Sequence, residues 1–429
     1  MTAAPGAAPP GPGPSPPASR RRDLRICALI GCGHFLSHFY MLCLPPLFLA
    51  WRAEFGVSYA TLGLATAVMS ATTAALQTPM GFWIDRHGAR PFLVGGTLLM
   101  ALSVSAMAAA PEFWMIVALA LLSGVGNSVI HPADYAILAG SVHKSFMGRA
   151  FALHTFTGNL GFALAPPAIA LLTTAMGWRA ALLLVGLLGV PVVAAILWQS
   201  RILRDQAKPE PKRTADAAAA PAGRRLLLSR PMLLFFGFFL LSAMAGSGVQ
   251  SFVIAVLGQL WGTPVAVGSM VLTGYMAGAT LGTLVGGVVA DRARRGLAGF
   301  VVLLTLAAMA LLLALGLVPM PEALMPAVAT AAGLALGASR TPRDVMLKEA
   351  SPPGEIGKVF GFVSSGLPLG SALMPVPMGL LMDLGHPELV LPAVAALLGL
   401  SLLCMGGAEG AARAARRGTA PAARPVAAE

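Results

Sequence analysis

The sequence predicts an all-α polytopic membrane protein, with twelve transmembrane helices in two pseudo-symmetric six-helix halves. Three observations carry this reading. Of 429 residues, 57% are hydrophobic and 11% charged, whereas a soluble chain carries about a quarter charged residues. Several apolar runs reach about 20 residues, the length that crosses a bilayer as a helix. The chain also repeats itself. In the stretch His131–Pro166, Pro132 and Asp134 recur as Pro342 and Asp344. Gly148, Phe151, Gly161 and Pro166 recur as Gly357, Phe360, Gly370 and Pro375, and Arg149 keeps its charge as Lys358. A repeat of half the chain means two copies of one large unit rather than a solenoid.

Taken in order, residues 1–25 are rich in Pro, Gly and Ala and lack the short apolar core of a signal peptide. They are expected to form a disordered cytoplasmic tail. Twelve spans follow at 26–50, 58–82, 91–110, 114–138, 150–173, 179–198, 231–257, 264–290, 297–317, 323–343, 359–383 and 388–408. The one long interior break, 199–230, contains Lys-Pro-Glu-Pro-Lys-Arg and an Ala-rich run, which reads as a flexible linker. It separates an N-terminal half, 26–198, from a C-terminal half, 231–408, and a second tail occupies 409–429.

With these spans, every Lys and Arg except Arg52 and Arg179 lies on one side of the membrane. The positive-inside rule then places both termini in the cytoplasm of a multi-pass protein of the cell's inner membrane. The net charge of +12 is thereby explained by topology, and no nucleic-acid partner is needed. Cys27, Cys32, Cys43 and Cys404 lie in apolar segments. They lack metal-ligand spacing, so neither disulfides nor a metal site is expected.

A second repeat stands at the ends of spans two and eight. Gly81 precedes Asp85-Arg86 by four residues, and Gly287 precedes Asp291-Arg292 by the same spacing. Glycine lets another helix approach closely, and the aspartate can pair with a base or face a helix N-terminus. The Gly-x-x-x-Asp-Arg-x-Gly-x-Arg pattern at 81–90 resembles the loop motif of the major facilitator superfamily. That resemblance covers about residues 26–408. It implies a secondary transporter whose halves rock around a central site. Within the superfamily the chain is similar to fosmidomycin-resistance-like drug exporters. The residues that carry this are Gly33-His34-Phe35-Leu36-Ser37-His38, Glu54-Phe55-Gly56, Gly126-Asn127-Ser128, His131-Pro132 and Gly158-Asn159-Leu160-Gly161. The chain departs from those relatives at His38, where an acid is common, and at Ala165, where Gly precedes Pro, and from drug/proton antiporters at Ala120, near a common arginine.

His34 and His38 share one helix face in the middle of span one. An ionisable group at such depth is costly and marks a functional hypothesis. Histidine changes charge in the physiological range, so this pair suits proton coupling. Interhelical hydrogen bonding would be the plainer role. Asn127, Asn159, Ser247 and Gln250 also fall near mid-membrane and are candidates for the substrate and proton pathway. With no Asp, Glu, Lys or Arg read at mid-depth, a neutral or apolar small molecule is the expected substrate.

Asp85, Arg86, Asp134 and Arg149 in one half, and Asp291, Arg292, Arg343, Asp344 and Lys358 in the other, gather at the cytoplasmic face. They are expected to form a gate of ion pairs that holds the outward-facing state and breaks on opening. Gly274, Gly278, Gly282 and Gly286 on span eight, and Gly63, Ala67, Ala71 and Ala75 on span two, give smooth faces for packing or sliding. Pro45-Pro46 and Pro166-Pro167 predict kinks.

These readings point to a secondary active transporter that works by alternating access, with proton-coupled efflux of a small organic molecule. Proton-coupled uptake of a metabolite such as an organic acid is the alternative, and a non-transporting receptor a more distant one. No cofactor is expected, and the sequence contains no metalloprotease motif, nucleophile elbow or P-loop. The protein is expected to be a monomer in the lipid bilayer, with protons as the coupling ion.

Overall fold

The computed structural model describes residues 17–143, 146–203, 226–292, 296–351 and 356–418. The expectations for residues 1–16, for 204–225 of the linker and for 419–429 lie outside the described residues.

The N-terminal half contains α1 Pro17–Leu42, α2 Phe48–Phe55, α3 Tyr59–His87, α4 Ala89–Met107, α5 Phe113–Ser128, α6 Ile130–Ser141, α7 Met147–Leu187 and α8 Gly189–Trp198. The C-terminal half contains α9 Arg230–Trp261, α10 Val265–Arg292, α11 Leu297–Leu317, α12 Met325–Ala350, α13 Ile356–Ser364, α14 Gly366–Leu373, α15 Pro375–Asp383 and α16 Val390–Gly418. Together they make twelve membrane-length passes among the described residues. Ten helical stretches are long and apolar enough by composition to cross a bilayer. One of them, Arg149–Trp198, holds two passes. Gly177 divides it with a φ of 81°, a conformation that lets the chain reverse without a Cβ penalty. The remaining pass, α12, is the tenth in chain order; it carries Arg340, Arg343 and Lys348 and so falls short on hydropathy.

Two boundaries differ from the sequence expectation. Helix α1 begins at Pro17, inside the expected tail, and α16 continues to Gly418. Apolar periodicity marks the stretch that lipid covers, whereas the helical hydrogen-bond ladder continues past it into polar residues.

Pass one breaks at Pro45-Pro46. These residues form a short 3₁₀ turn between α1 and α2, because proline cannot donate to the ladder. Pass eleven is likewise broken into α13, α14 and α15. Passes one and seven both end on a left-handed glycine, Gly56 (φ 65°) and Gly262 (φ 67°), which is the repeat expressed in backbone form.

Many large apolar side chains face outward, among them Leu171 (70%), Leu303 (66%) and Leu403 (73%). Water would penalise such a surface, and a hydrocarbon solvent does not. Three of the four glycines in the stripe of α10 meet backbone rather than side chains. A Cβ at Gly278, Gly282 or Gly286 would meet the carbonyls of Thr330, Leu334 and Ala338 on α12. Gly333 and Gly337 of α12 meet the carbonyls of Tyr275 and Ala279 in return. This stripe therefore packs inside its own half. On span two, Gly63 meets the carbonyl of Pro375 across the halves and Ala67 is buried, while Ala71 and Ala75 are exposed.

The two halves are joined at one end and apart at the other. One apolar core contains the N-terminal half together with Ala245–Leu257, Val271–Met276 and Met374–Met382 of the C-terminal half. A separate core, built on Phe235, Phe239, Val301, Leu347 and Val363, belongs to the C-terminal half alone. The joined end is the one remote from both termini.

Candidate functional site

Histidines converge inside the N-terminal half. Helix α1 supplies His34 and His38, α6 supplies His131 and Asp134, and α7 supplies His154. The His34 and His154 rings are stacked, with centroids 3.6 Å apart and planes at 12°. His34 also lies 4.4 Å from His38 and 5.0 Å from His131. Gly158 makes room for this arrangement, since a Cβ there would strike both His34 and His38.

The hydrogen bonds orient two of these rings. His34 Nδ1 lies 2.7 Å from the carbonyl oxygen of His154. A carbonyl can only accept, so Nδ1 carries the hydrogen and Nε2 presents its lone pair. His154 Nε2 lies 2.9 Å from Asp134 Oδ2. Asp134 is fully buried and His154 is 3% exposed. His34 Nε2, His38 Nδ1, His131 Nδ1 and Asp134 Oδ1 are buried without hydrogen-bond partners. Unsatisfied buried groups of this kind are rare in folded proteins and call for a ligand, a proton or water. Tyr135, 47% exposed, covers the cluster with its ring 5.2 Å from that of His154.

The C-terminal half holds a cavity of about 290 Å³ instead. Its polar lining includes Ser242, Gln250, Tyr275, Ser339, Arg340 and Arg343. Arg340 is open to this cavity and makes no ion pair among the described residues. It stands fifteen residues into α12, about 22 Å along the helix, and is therefore deep in the bundle. Arg343 is held by Asp344 at 3.0 Å and by stacking 3.9 Å over the Phe239 ring.

The expected pathway residues separate on this geometry. His34, His38 and Gln250 take part in the cluster or the cavity. Ser247 instead donates to the carbonyl of Ser371 at 2.9 Å, joining α9 to α14. Asn127 donates to Thr73 Oγ1 at 3.3 Å and lies 3% exposed among α1, α3 and α5. Asn159 is half-buried on α7.

The expected gate is not assembled in this conformation. Asp85, Arg86, Arg149 and Arg292 are exposed, without ion pairs among the described residues. Asp134 does not pair with Arg149. The break between α5 and α6 turns it inward to His154. Asp344 pairs with its neighbour Arg343 rather than across the halves. Helix α13 begins at Ile356, and the side chains of Asp291 and Lys358 lie outside what is described.

A cluster of polar contacts that does bridge the halves stands at the opposite end, and Thr273 Oγ1 also donates across them to the carbonyl of Ala163 at 3.0 Å. Both carboxylate oxygens of Asp383 accept from the first amides of α3, Tyr59 N at 2.6 Å and Ala60 N at 2.8 Å. Gln259 Nε2 donates to Tyr59 Oη at 2.7 Å, and Arg52 lies 4.3 Å over the Tyr59 ring. An anion at a helix N-terminus satisfies orphan amides and meets the positive end of the dipole.

Reasoning from sequence missed His131, His154 and Arg340 as site residues. His131 and His154 flank Asp134 inside the very stretch that repeats, and three histidines with one acid within it were the available signal. Arg340 falls near the end of the predicted span 323–343, whereas α12 runs on to Ala350 and leaves Arg340 farther from the helix end.

Comparison with known proteins agrees with this architecture. The Fosmidomycin resistance protein of Escherichia coli (strain K12) is 26% identical over 281 residues, 64% of this chain and 67% of that protein. A probable L-galactonate transporter from the same organism is 26% identical over 139 residues, and the match spans only 31% of its length. Among solved structures, a bacterial homologue of the human lysosomal transporter Spinster, inward-facing and unoccupied, superposes with a TM-score of 0.75 at 16% identity, covering 93% of this chain and 98% of that one. The Major Facilitator Superfamily profile matches residues 30–253 and 239–428. The chain is therefore a multi-pass membrane protein that belongs to the Major Facilitator Superfamily of transporters.

Proposed function

We propose that this protein is a proton-coupled secondary transporter that exports small organic anions by alternating access. The observation that carries the reading is a division of labour between halves. A fixed, unpaired cation, Arg340, lines a polar cavity in one half. A buried cluster of protonatable histidines with Asp134 stands in the other. An arginine is always charged and offers several fixed donors, so one that is open to a polar cavity is suited to an anion. This replaces the expectation of a neutral substrate. The cluster at His34, His38, His131 and His154 is the candidate for proton binding, because its buried ring nitrogens at His34 Nε2, His38 Nδ1 and His131 Nδ1 have no hydrogen-bond partners.

In this reading both termini face the cytoplasm of a bacterial inner-membrane protein. The structure then corresponds to the state closed toward the outside by Asp383 and Tyr59. The halves 26–198 and 231–408 rock about the linker at 199–230. Asp85, Arg86, Arg149, Asp291, Arg292 and Lys358 approach one another when the cytoplasmic end closes. The protein acts as a monomer and catalyses no covalent chemistry. Likeness to a fosmidomycin resistance protein supports export. Likeness to a probable L-galactonate transporter favours proton-coupled uptake of an organic acid as the second reading.

Proteoliposomes with an imposed pH gradient test this directly. Anion flux is expected to follow the gradient, and His38→Ala is expected to abolish proton-driven flux while anion exchange at equal pH persists. Wild-type coupling in His38→Ala would remove the assignment of the cluster. A neutral amide analogue carried as fast as the acid would remove that of Arg340. The gradient direction that drives accumulation separates export from uptake.

A further inference from the structure

We propose that His34, His131 and His154 form a binding site for a divalent transition-metal ion of the zinc class. The inference goes beyond transport of an organic anion and does not depend on it. One ring nitrogen from each of the three histidines lies within 4.8 Å of the others. Imidazole nitrogens suit zinc and its neighbours, with bonds of about 2.0–2.1 Å. Four-coordinate geometry with such bonds sets nitrogens about 3.3 Å apart. The rings therefore have to draw together modestly and do not need a change of fold.

Two of the three histidines already make the second hydrogen bond that metal-bound histidines use. Such ligands donate their second ring nitrogen to a backbone carbonyl or a carboxylate, which fixes the tautomer and raises basicity. His34 donates Nδ1–H to the carbonyl of His154, which leaves Nε2 free. His154 is held through Nε2 by Asp134, which leaves Nδ1 free. His131 Nδ1 and His34 Nε2 are both buried without partners. Asp134 supplies the negative charge next to the ligands. His38 lies outside this group, 5.6 Å from His131 between ring centroids, so the fourth position is left to solvent or an added ligand.

One local movement is needed. Stacked at 12°, the His34 and His154 rings point their lone pairs along parallel planes, so His154 has to tilt before both nitrogens meet one ion. Metal binding and the His34–His154 stack are thus alternatives. A bound ion would tie α1, α6 and α7 together and occupy nitrogens that protons otherwise take. Transport should then be inhibited.

The test uses the untagged full chain in detergent, without substrate or gradient. ZnCl2 is titrated by calorimetry, and CoCl2 by the visible bands that four-coordinate cobalt shows and the hydrated ion lacks. One equivalent is expected to saturate the protein with those bands. His131→Gln is expected to abolish saturable binding. Asp134→Asn should weaken it by about 10- to 100-fold, while His386→Ala, at an exposed surface histidine, should leave it unchanged. Binding only at millimolar metal, six-coordinate cobalt spectra, or unchanged affinity in His131→Gln would each overturn the site. His131 is half-buried and its Nδ1 has no hydrogen bond to lose, so its variant is the one best placed to fold. Monodispersity by size exclusion checks that it does. Failure of proton-coupled flux would leave this result untouched, because binding is read at equilibrium.

Discussion

The same repeated segment carries a fully buried Asp134 in the N-terminal half and a 43% exposed Asp344 in the C-terminal half. The backbone match between them is close. Gly161 packs on the Phe35 carbonyl and Phe39 amide of α1, and its repeat partner Gly370 packs on the Leu240 carbonyl and Met244 amide of α9. His34 and His38 therefore correspond to Phe239 and Ala243, His131 to Thr341, and His154 to Val363. Asp134 can be buried because His154 accepts its company at 2.9 Å. The residue equivalent to His154 in the C-terminal half is a buried, apolar Val363, which offers no hydrogen bond, and Asp344 pairs with Arg343 instead. A buried carboxylate needs a hydrogen-bonded partner. Four histidines replaced at equivalent positions thus separate a histidine-rich half from a half whose cavity is lined by arginines.

The comparison can be broken most severely at Arg340. Arg340→Gln should raise the KM for an anionic substrate about 10- to 100-fold, since a charge-assisted hydrogen bond contributes about 1.5–3 kcal/mol. A neutral analogue should be unaffected. Proteoliposome kinetics read both. If the anion and its analogue respond alike, Arg340 holds the fold rather than the substrate.

Next in size is the buried pair. Asp134→Ala leaves His154 Nε2 without its acceptor and should cost about 1–3 kcal/mol, seen as a lower melting temperature. Asp344→Ala at the exposed counterpart should cost less than about 1 kcal/mol. Equal losses would mean that burial does not distinguish the two aspartates.

A smaller effect is expected where the halves meet. Asp383 caps α3 across the interface, whereas its counterpart by the repeat, Thr174, bonds only to its own helix at Ala170. Asp383→Ala should remove about 1 kcal/mol, shifting the population open at that end by roughly fivefold. Spin-label distances across Tyr59 and Asp383 would report it, and unchanged distances would show that the apolar contacts alone keep this end shut. The smallest effect belongs to Ser247→Ala, which removes one interhelical hydrogen bond of about 0.6 kcal/mol. Its transport should match wild type, and a lost gradient response would return Ser247 to the pathway.

Much of the architecture was legible before any coordinates. Lipid sets the length of each pass, so hydropathy located them, and the two DR-containing loops identified the symmetry. The glycine stripe of α10 was legible as a packing face, but its partner was not, because a stripe carries no address. His34 and His38 were legible because four residues of separation on a helix fixes a shared face. His131 and His154 were not assembled with them, because their neighbourhood depends on how α6 turns after the break at Val129 and how α7 lies against α1.

By itself, the sequence determined the class of protein, the number of passes, the twofold repeat and the side on which basic residues gather. These follow from local quantities, namely apolar length, charge and spacing. Only the tertiary structure decided which end is closed, which acid is buried, and which side chains share a site. Those outcomes depend on contacts between helices far apart in the chain. Asp134 became the partner of His154, and Arg340 became the wall of a cavity, through packing that no single stretch encodes.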